Sequence, residues 1–238
     1  MRPLAKKVKS NENLLKIGMW NIEGLTSKKA NDPHFQNIVS KLSIASFVET
    51  WIGNESIQDI SIPNFDLVHS SSRKKHKKAR RYSGGINIFS KSSISKGVKS
   101  LTNSHPDILW IKLDHMFFSI SRDVFVAVVY ISPEYSSHNN NDIESKYSIL
   151  LSEVEKYSSM GDIIIQGDFN AYTNTQLDFI EFDNVTEHVN LDDSEYHPDR
   201  TLSRNNLDHK HTNNSGKLSL NMCKETKIRI LNGRTTGD

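Results

Sequence analysis

The fold class the sequence predicts is an α/β sandwich, with two packed sheets and helices on the outside. Three observations carry this. Apolar strand patterns outnumber helical ones, and several are alternating runs lying close together along the chain. Two segments instead place apolar residues at helical spacing: Phe35, Ile38, Val39 and Leu42, then Ile143, Tyr147, Leu150, Leu151 and Val154. No repeat or low-complexity linker interrupts the 238 residues, so one domain over 14–238 is expected behind a polar, basic lead-in over 1–13.

Bulk composition narrows the function classes. A chain of this length buries a substantial core without staples. Hydrophobic residues are 36% and charged residues 24%, which is globular but polar. The net charge of +2 gives no bulk argument for nucleic acid. Cys223 is the single cysteine, which excludes a disulfide framework or a cysteine-rich zinc site within the chain. No apolar run approaches a membrane span, so no membrane partner is expected. The basic start lacks the apolar segment of a secretory leader, so an intracellular, reducing location is expected. A monomer is expected as well.

The elements follow in order. Leu14, Leu15, Ile17, Met19 and Trp20 form a strand pattern that ends at Asn21. Asp32-Pro33 starts a helix, with Asp as N-cap and Pro at the first helical position. A strand over Ile44 to Val48 stops at Glu49-Thr50-Trp51, where the indole can wall off a site around the carboxylate. Phe65 to Val68 reads as a short strand. The basic run Arg73-Lys74-Lys75-His76-Lys77-Lys78-Ala79-Arg80-Arg81 follows, with seven Lys or Arg in nine residues. It reads either as a solvated loop or nuclear-localisation type signal, or as a phosphate-tracking arm. Gly84-Gly85 opens a strand through Ile86, Ile88 and Phe89, and Ile108 to Leu113 alternates as a half-buried strand does. Val124 to Ile131 is an apolar strand stopped by Pro133, with Tyr130 at its end. Asn139 to Asp142 is a polar cap before the second helix. The chain is polar from Ala171 to Asn214. There His188, His197, His209 and His211 match no closed zinc spacing and read as loop residues. A last helix holds Leu218, Leu220, Met222 and Cys223, a last strand Ile228 to Leu231, and Asn232-Gly233-Arg234 is a turn.

The stretch Asp162 to Ala171 organises this pattern. Ile163, Ile164 and Ile165 predict a strand covered on both faces, and Gly167 predicts a tight turn. Asp168 and Asn170 follow, two apart, which in a strand points both side chains to one side. A carboxylate that can hold a cation or take a proton, beside an amide that can donate to a phosphate oxygen, suits phosphodiester chemistry. An Asx turn after a strand end accounts for the same residues. Four strand patterns end in polar residues, at Asn21, Glu49, Tyr130 and Asp168 with Asn170, and such ends are where ligand sites form in open sheets. Two carboxylates with neutral amides suit Mg²⁺, a hard cation that keeps several waters.

The segments Met19-Trp20-Asn21-Ile22, Phe47-Val48-Glu49-Thr50-Trp51, Gly84-Gly85-Ile86, Val129-Tyr130-Ile131-Ser132-Pro133 and Gly167-Asp168-Phe169-Asn170-Ala171 resemble, in order, the motifs of the endonuclease/exonuclease/phosphatase (DNase I-like) superfamily. Within it the chain is most similar to endonuclease domains of LINE-type (non-LTR) retrotransposons. The resemblance implies a four-layered α/β sandwich with mainly antiparallel sheets, Mg²⁺-dependent nicking of DNA and, in a longer product, a reverse transcriptase. It implies that Glu49 binds the metal with Asn21 helping to set metal and phosphate. Tyr130 then contacts the scissile phosphate, Asp168 orients or deprotonates the attacking water, and Asn170 holds the phosphate. The backbone of the nucleic acid falls to Arg73, Lys74, Lys75, Lys77, Lys78, Arg80 and Arg81.

One departure bears on activity. The family pattern continues beyond a motif like Leu231-Asn232-Gly233-Arg234 to further strands and a Ser-Asp-His motif, and no Ser-Asp-His occurs in the sequence. Asp208-His209 lies in a loop before the last helix and is not read as a substitute. A truncated domain lacking its last strands is therefore expected. A catalytically dead nucleic-acid-binding remnant and a phosphatase of small phosphoesters stand as the alternatives.

Overall fold

The computed structural model describes residues 14–53, 55–73, 75, 79–136, 142–180 and 204–234. The chain divides into two compact units, Met1–Ser100 and Leu101–Asp238. The lead-in over 1–13, residues 139–141 of the polar cap, His188 and His197 lie outside the described residues, as do Lys74, Lys77 and Lys78.

The first unit is built on a sheet of four strands. β1 (Ile17–Asn21) leads through two helices, α1 (Ser27–Ala30) and α2 (Pro33–Ser40), to β2 (Ile44–Val48). The remaining strands are β3 (Phe65–Ser71) and β4 (Ile86–Lys91), and the short β5 (Val98–Ser100) lies outside this sheet. The sheet order is β1-β2-β4-β3. The helical crossover makes β1 and β2 parallel, from Ile17 beside Ile44 to Asn21 beside Val48. β4 runs antiparallel to β2, ending with Val48 beside Ile86. α2 begins as its sequence predicts: Asp32 Oδ1 accepts the N–H groups of His34 and Phe35, each at 2.9 Å, and Pro33 occupies the first turn. Phe35 and Val39 then pack with Ala45, Phe47 and Phe89 in the core. β1 starts three residues later than the apolar pattern, because Leu14 is 63% exposed and has no core to join.

The second unit carries β6 (Ile108–Leu113), α3 (His115–Phe118), β7 (Val124–Tyr130), α4 (Asp142–Ser158), β8 (Asp162–Asp168) and α5 (Asn214–Thr226). β6 and β7 form an antiparallel hairpin. Its turn is held by Asp123, whose carboxylate takes Lys112 Nζ at 2.8 Å and both the backbone N–H and ring of His115. Lys112 and then His115 hold that carboxyl well below the usual range. α4 is the crossover that makes β7 and β8 parallel, and the register places Tyr130 beside Asp168. Ile143, Tyr147, Leu150, Val154 and Tyr157 of α4 pack on Trp110, Phe125, Ala127 and Val129. Two polar pairs lie in this core. Trp110 Nε1 donates to Glu153 at 2.8 Å, and Lys146 meets Asp107 at 2.9 Å with both side chains almost wholly buried. Cys223 is buried too, and burial pushes its thiol up to about 11, so it stays a packed, unreactive group.

The two-sheet α/β prediction holds: most strand pairings are antiparallel, and each unit also contains one parallel crossover pair. Three local expectations are corrected. Ile163 and Ile165 pack against the core, but Ile164 is 42% exposed; β8 pairs only with β7 among the described strands, and its second face is partly open. Gly167 makes no turn. It lies within β8, where a Cβ would stand 2.1 Å from the Val129 carbonyl oxygen, so close approach of β7 demands the glycine. Ile228 to Leu231 form no strand, since the Ile230 N–H donates to the Asp178 carboxylate at 2.8 Å instead of to a ladder.

Candidate active site

In the first unit the end of β2 is gripped from both sides. The carbonyl groups of Val48, Glu49 and Thr50 accept the N–H groups of Ile22, Gly24 and Leu25 at 3.0, 2.8 and 2.9 Å. On the other side Thr50 and Trp51 donate to the carbonyls of Gly85 and Gly84 at 3.3 and 2.9 Å. Between these anchors Glu49 adopts φ +55° and Trp51 φ +56°, left-handed conformations that L-residues avoid. Glu49 is half-buried, and Asn21 Nδ2 donates to its Oε1 at 3.0 Å. Asn21 Oδ1 accepts the Glu23 N–H at 3.3 Å. Asn21 thus holds a turn with its oxygen and orients the Glu49 carboxylate with its amide.

In the second unit β7 and β8 deliver the other candidates. Tyr130 and Asp168 are neighbours across the parallel ladder, which the bond from the Ile131 N–H to the Asp168 carbonyl extends at 2.9 Å. The Tyr130 ring is buried at 6% exposure, as a packed core tyrosine is. Asn170 is not a strand residue. It has φ +45°, so the strand alternation expected to align it with Asp168 does not apply. The two residues meet instead through an Asx turn, with the Asn170 N–H donating to Asp168 Oδ1 at 3.1 Å. Asn170 Nδ2 donates to the Ile131 carbonyl at 2.9 Å, which fixes the carboxamide against the end of β7.

Of the basic run, Arg73, Lys75, Arg80 and Arg81 are described. Arg81 stacks its guanidinium 3.6 Å from the centre of the Trp51 ring, and Lys75 Nζ lies 5.6 Å from that of Tyr82. His209 and His211 are exposed loop residues, as expected. Among the described residues, Asp114, His115 and Asp123 bring ligand atoms within 4.8 Å of one another. They already close the β6–β7 hairpin: Asp114 caps α3 and Asp123 holds Lys112 and His115.

The chain is similar to AP endonucleases of known structure. The AP endonuclease LMAP from Leishmania major matches over 65% of this chain and 55% of its own, at 17% identity and TM-score 0.49. An AP endonuclease from Archaeoglobus fulgidus matches over 68% and 59%, at 17% identity and TM-score 0.43. The human Nocturnin catalytic domain matches over 66% and 64%, at 12% identity and TM-score 0.46. This chain thus spans less than two thirds of the length of each. No family model matches it, and no curated protein does.

Two supports of the second-unit candidates escaped the sequence reading. Asn213 caps α5, with Oδ1 accepting the Gly216 N–H at 2.8 Å and the Tyr172 N–H at 3.0 Å. Its Nδ2 donates to the Asn170 carbonyl at 2.8 Å, so one side chain fixes the helix start and the loop after Asp168. An Asn before a Gly-containing helix start was the available signal. The other is Asp178, 1% exposed, which takes both terminal nitrogens of Arg234 at 2.6 and 2.7 Å. Burial pushes its carboxyl up, and the bonds from Arg234 and the Ile230 N–H outweigh that and hold it below the usual range. Nothing in the spacing of Asp178 and Arg234 signals that pairing.

Proposed function

We propose that the chain is a divalent-metal-dependent phosphodiester hydrolase of the endonuclease/exonuclease/phosphatase superfamily, a DNA-nicking endonuclease of the LINE-type branch. The observation that carries the reading is Glu49, a carboxylate kept in a left-handed conformation at a strand end and oriented by the Asn21 amide. Backbone strain of this kind persists where the surroundings enforce it, and it concentrates at functional sites. The five ordered motifs support the superfamily, and their style supports the retrotransposon branch.

The donor set fits Mg²⁺, with one carboxylate of Glu49 and the amide oxygen of Asn21 as hard oxygen ligands beside water. When bound, such a cation stabilises the negative charge that develops on a phosphodiester and its leaving oxygen. The chain's own residues take the remaining roles. Asn21 holds the Glu49 carboxylate in place. Asp168 accepts the Asn170 N–H at Oδ1, and a carboxylate has further lone pairs with which to orient or deprotonate a water. The Asn170 carboxamide has two N–H donors; its bond to the Ile131 carbonyl uses one and aims the other, which binds a phosphate oxygen. Tyr130 supplies a hydroxyl donor to the same phosphate.

The test is nicking of supercoiled plasmid by the purified chain, with Mg²⁺ and with EDTA, beside Glu49→Ala and Asp168→Ala. Metal-dependent nicking by the parent, lost in both variants while they remain folded, is expected. Equal cleavage by the variants, or none by folded parent protein, overturns the hydrolase reading. Absence of cleavage with salt-sensitive binding to DNA supports a binding remnant instead.

A further inference from the structure

We infer that Trp51 is a positioning residue that presents Arg81 as a pre-organised clamp for a nucleic-acid phosphate on the first unit, a role that rests on the hydrolase reading above. Four observations within the first unit lead there. The Arg81 guanidinium carbon stands 3.6 Å from the centre of the Trp51 ring, the separation of flat stacking. The ring itself is seated, because a Cβ on Gly24 would stand 2.7 Å from Trp51 Cε3; only glycine there lets the indole lie down on the chain. The base of the ring is fixed as well, by the Trp51 N–H bond to the Gly84 carbonyl at 2.9 Å. Finally, Arg81 is exposed, and among the described residues it forms no ion pair with a carboxylate. An arginine held flat by an indole, with its charge uncompensated, offers its N–H edge to an anion. Phosphodiester oxygens suit that edge, since the planar fork binds two of them at once.

The same design recurs one step along. Tyr82 packs on Gly53, where a Cβ would stand 2.5 Å from its Cζ, and its ring faces Lys75 Nζ at 5.6 Å. The Tyr82 hydroxyl is fixed by a hydrogen bond to Glu55. Aromatic side chains seated on glycines thus hold two basic residues of a strongly basic segment. An exposed arginine on a free loop must lose its rotamer freedom when it binds phosphate. Stacking on Trp51 makes part of that ordering in advance. Trp51 follows Glu49 by two residues, so the clamp is built on the backbone that carries the candidate metal ligand.

The experiment is fluorescence anisotropy of a labelled 20-base-pair DNA duplex in EDTA, where no cleavage interferes, across a salt series. Parent protein, Arg81→Ala, Trp51→Ala, Trp51→Phe, Gly24→Ala and the Trp51→Ala/Arg81→Ala double variant are compared. Arg81→Ala is expected to weaken binding about tenfold at low salt and to lower the slope of log K against log salt by about 1, as loss of one phosphate contact does. Trp51→Ala and Gly24→Ala reproduce part or all of that loss, the double variant is no weaker than Arg81→Ala, and Trp51→Phe restores most of the affinity. Losses that multiply in the double variant, or Trp51→Ala binding like the parent, overturn the clamp while leaving the hydrolase reading intact. Parent protein that binds no duplex at any salt overturns both.

Discussion

Glycine in place of Glu49 will give a more stable protein than alanine, and neither variant will nick DNA. The left-handed conformation, φ +55° at Glu49, costs an L-residue about 1–2 kcal/mol, and glycine adopts it without that penalty. Glycine loses more backbone entropy on folding, about 0.5–1 kcal/mol against alanine. The difference leaves Glu49→Gly ahead of Glu49→Ala by about 0.5–1 kcal/mol. Both variants forfeit the hydrogen bond from Asn21 and the carboxylate charge, so those losses cancel in the comparison. The backbone bonds of Val48 to Trp51 to their neighbours hold the conformation in both. For a chain of this length about 2–4 °C of Tm accompanies each kcal/mol, so the gap is about 1–4 °C. Thermal unfolding followed by circular dichroism on matched preparations reads it, and plasmid nicking on the same samples reads activity. A control pair at Lys217, exposed within α5, should reverse the order, because glycine is the poorer residue inside a helix. If Glu49→Ala melts at or above Glu49→Gly, the residue is not held against its preference and the strain argument fails.

Other consequences follow from the same geometry. Asp178→Asn strips the charge from a pair whose side chains are 1% and 7% exposed, and should cost about 3–5 kcal/mol in urea unfolding. The folded Asp178 carboxyl titrates below its unfolded value, so its contribution is full above pH of about 4 and fades as pH falls through the folded value. The gap between parent and Asp178→Asn should therefore close in acid, and a gap that widens there would contradict the pairing. Gly167→Ala forces a Cβ to 2.1 Å from the Val129 carbonyl and should destabilise by about 1–3 kcal/mol or more, with nicking reduced because Asp168 is the next residue. Lys146→Met should cost about 3–5 kcal/mol by removing the cation 2.9 Å from the buried Asp107 carboxylate, and adding Asp107→Asn should return more than half of it; a second loss of equal size would show that the pair is not the coupled unit.

Elements carried by local physics were legible in the sequence. Asp32-Pro33 announced α2, and the i, i+4, i+7 spacing from Ile143 announced α4, because a cap and an amphipathic face are written in adjacent residues. The strand β2 matched its apolar run residue for residue. What failed depended on partners far along the chain. Gly167 is read locally as a turn glycine, and its real reason is Val129, 38 positions earlier in numbering. Ile228 to Leu231 carries a strand's composition, but the buried carboxylate of Asp178 takes the Ile230 N–H first. The candidate site divides in the same way. Residue types at strand ends were visible, while the Asn21–Glu49 bond, the Asx turn under Asn170 and the cap at Asn213 are products of the folded arrangement.

A positive φ does not by itself mark a site, and the chain supplies the contrast. Ser119 and Lys227 are left-handed at the C-terminal caps of α3 and α5, where that conformation is the ordinary way to end a helix. Asn64 and Asn174 are left-handed in turns, and asparagine is among the residues that tolerate it best. Glu49 has neither excuse. It follows directly on a strand, it has no side-chain preference for the conformation, and glycines at 24, 84 and 85 take positive φ in the segments bonded around it. Around Glu49, glycines supply three of the positive φ angles, and Glu23 and Trp51 take the conformation with side chains attached, as Glu49 does. Asn170 repeats the pattern with milder strain, and its carboxamide too is tied to a neighbouring strand end. A side chain kept at a position where glycine is the easier residue, and oriented there by a second polar group, is the signature of chemistry taking precedence over local stability.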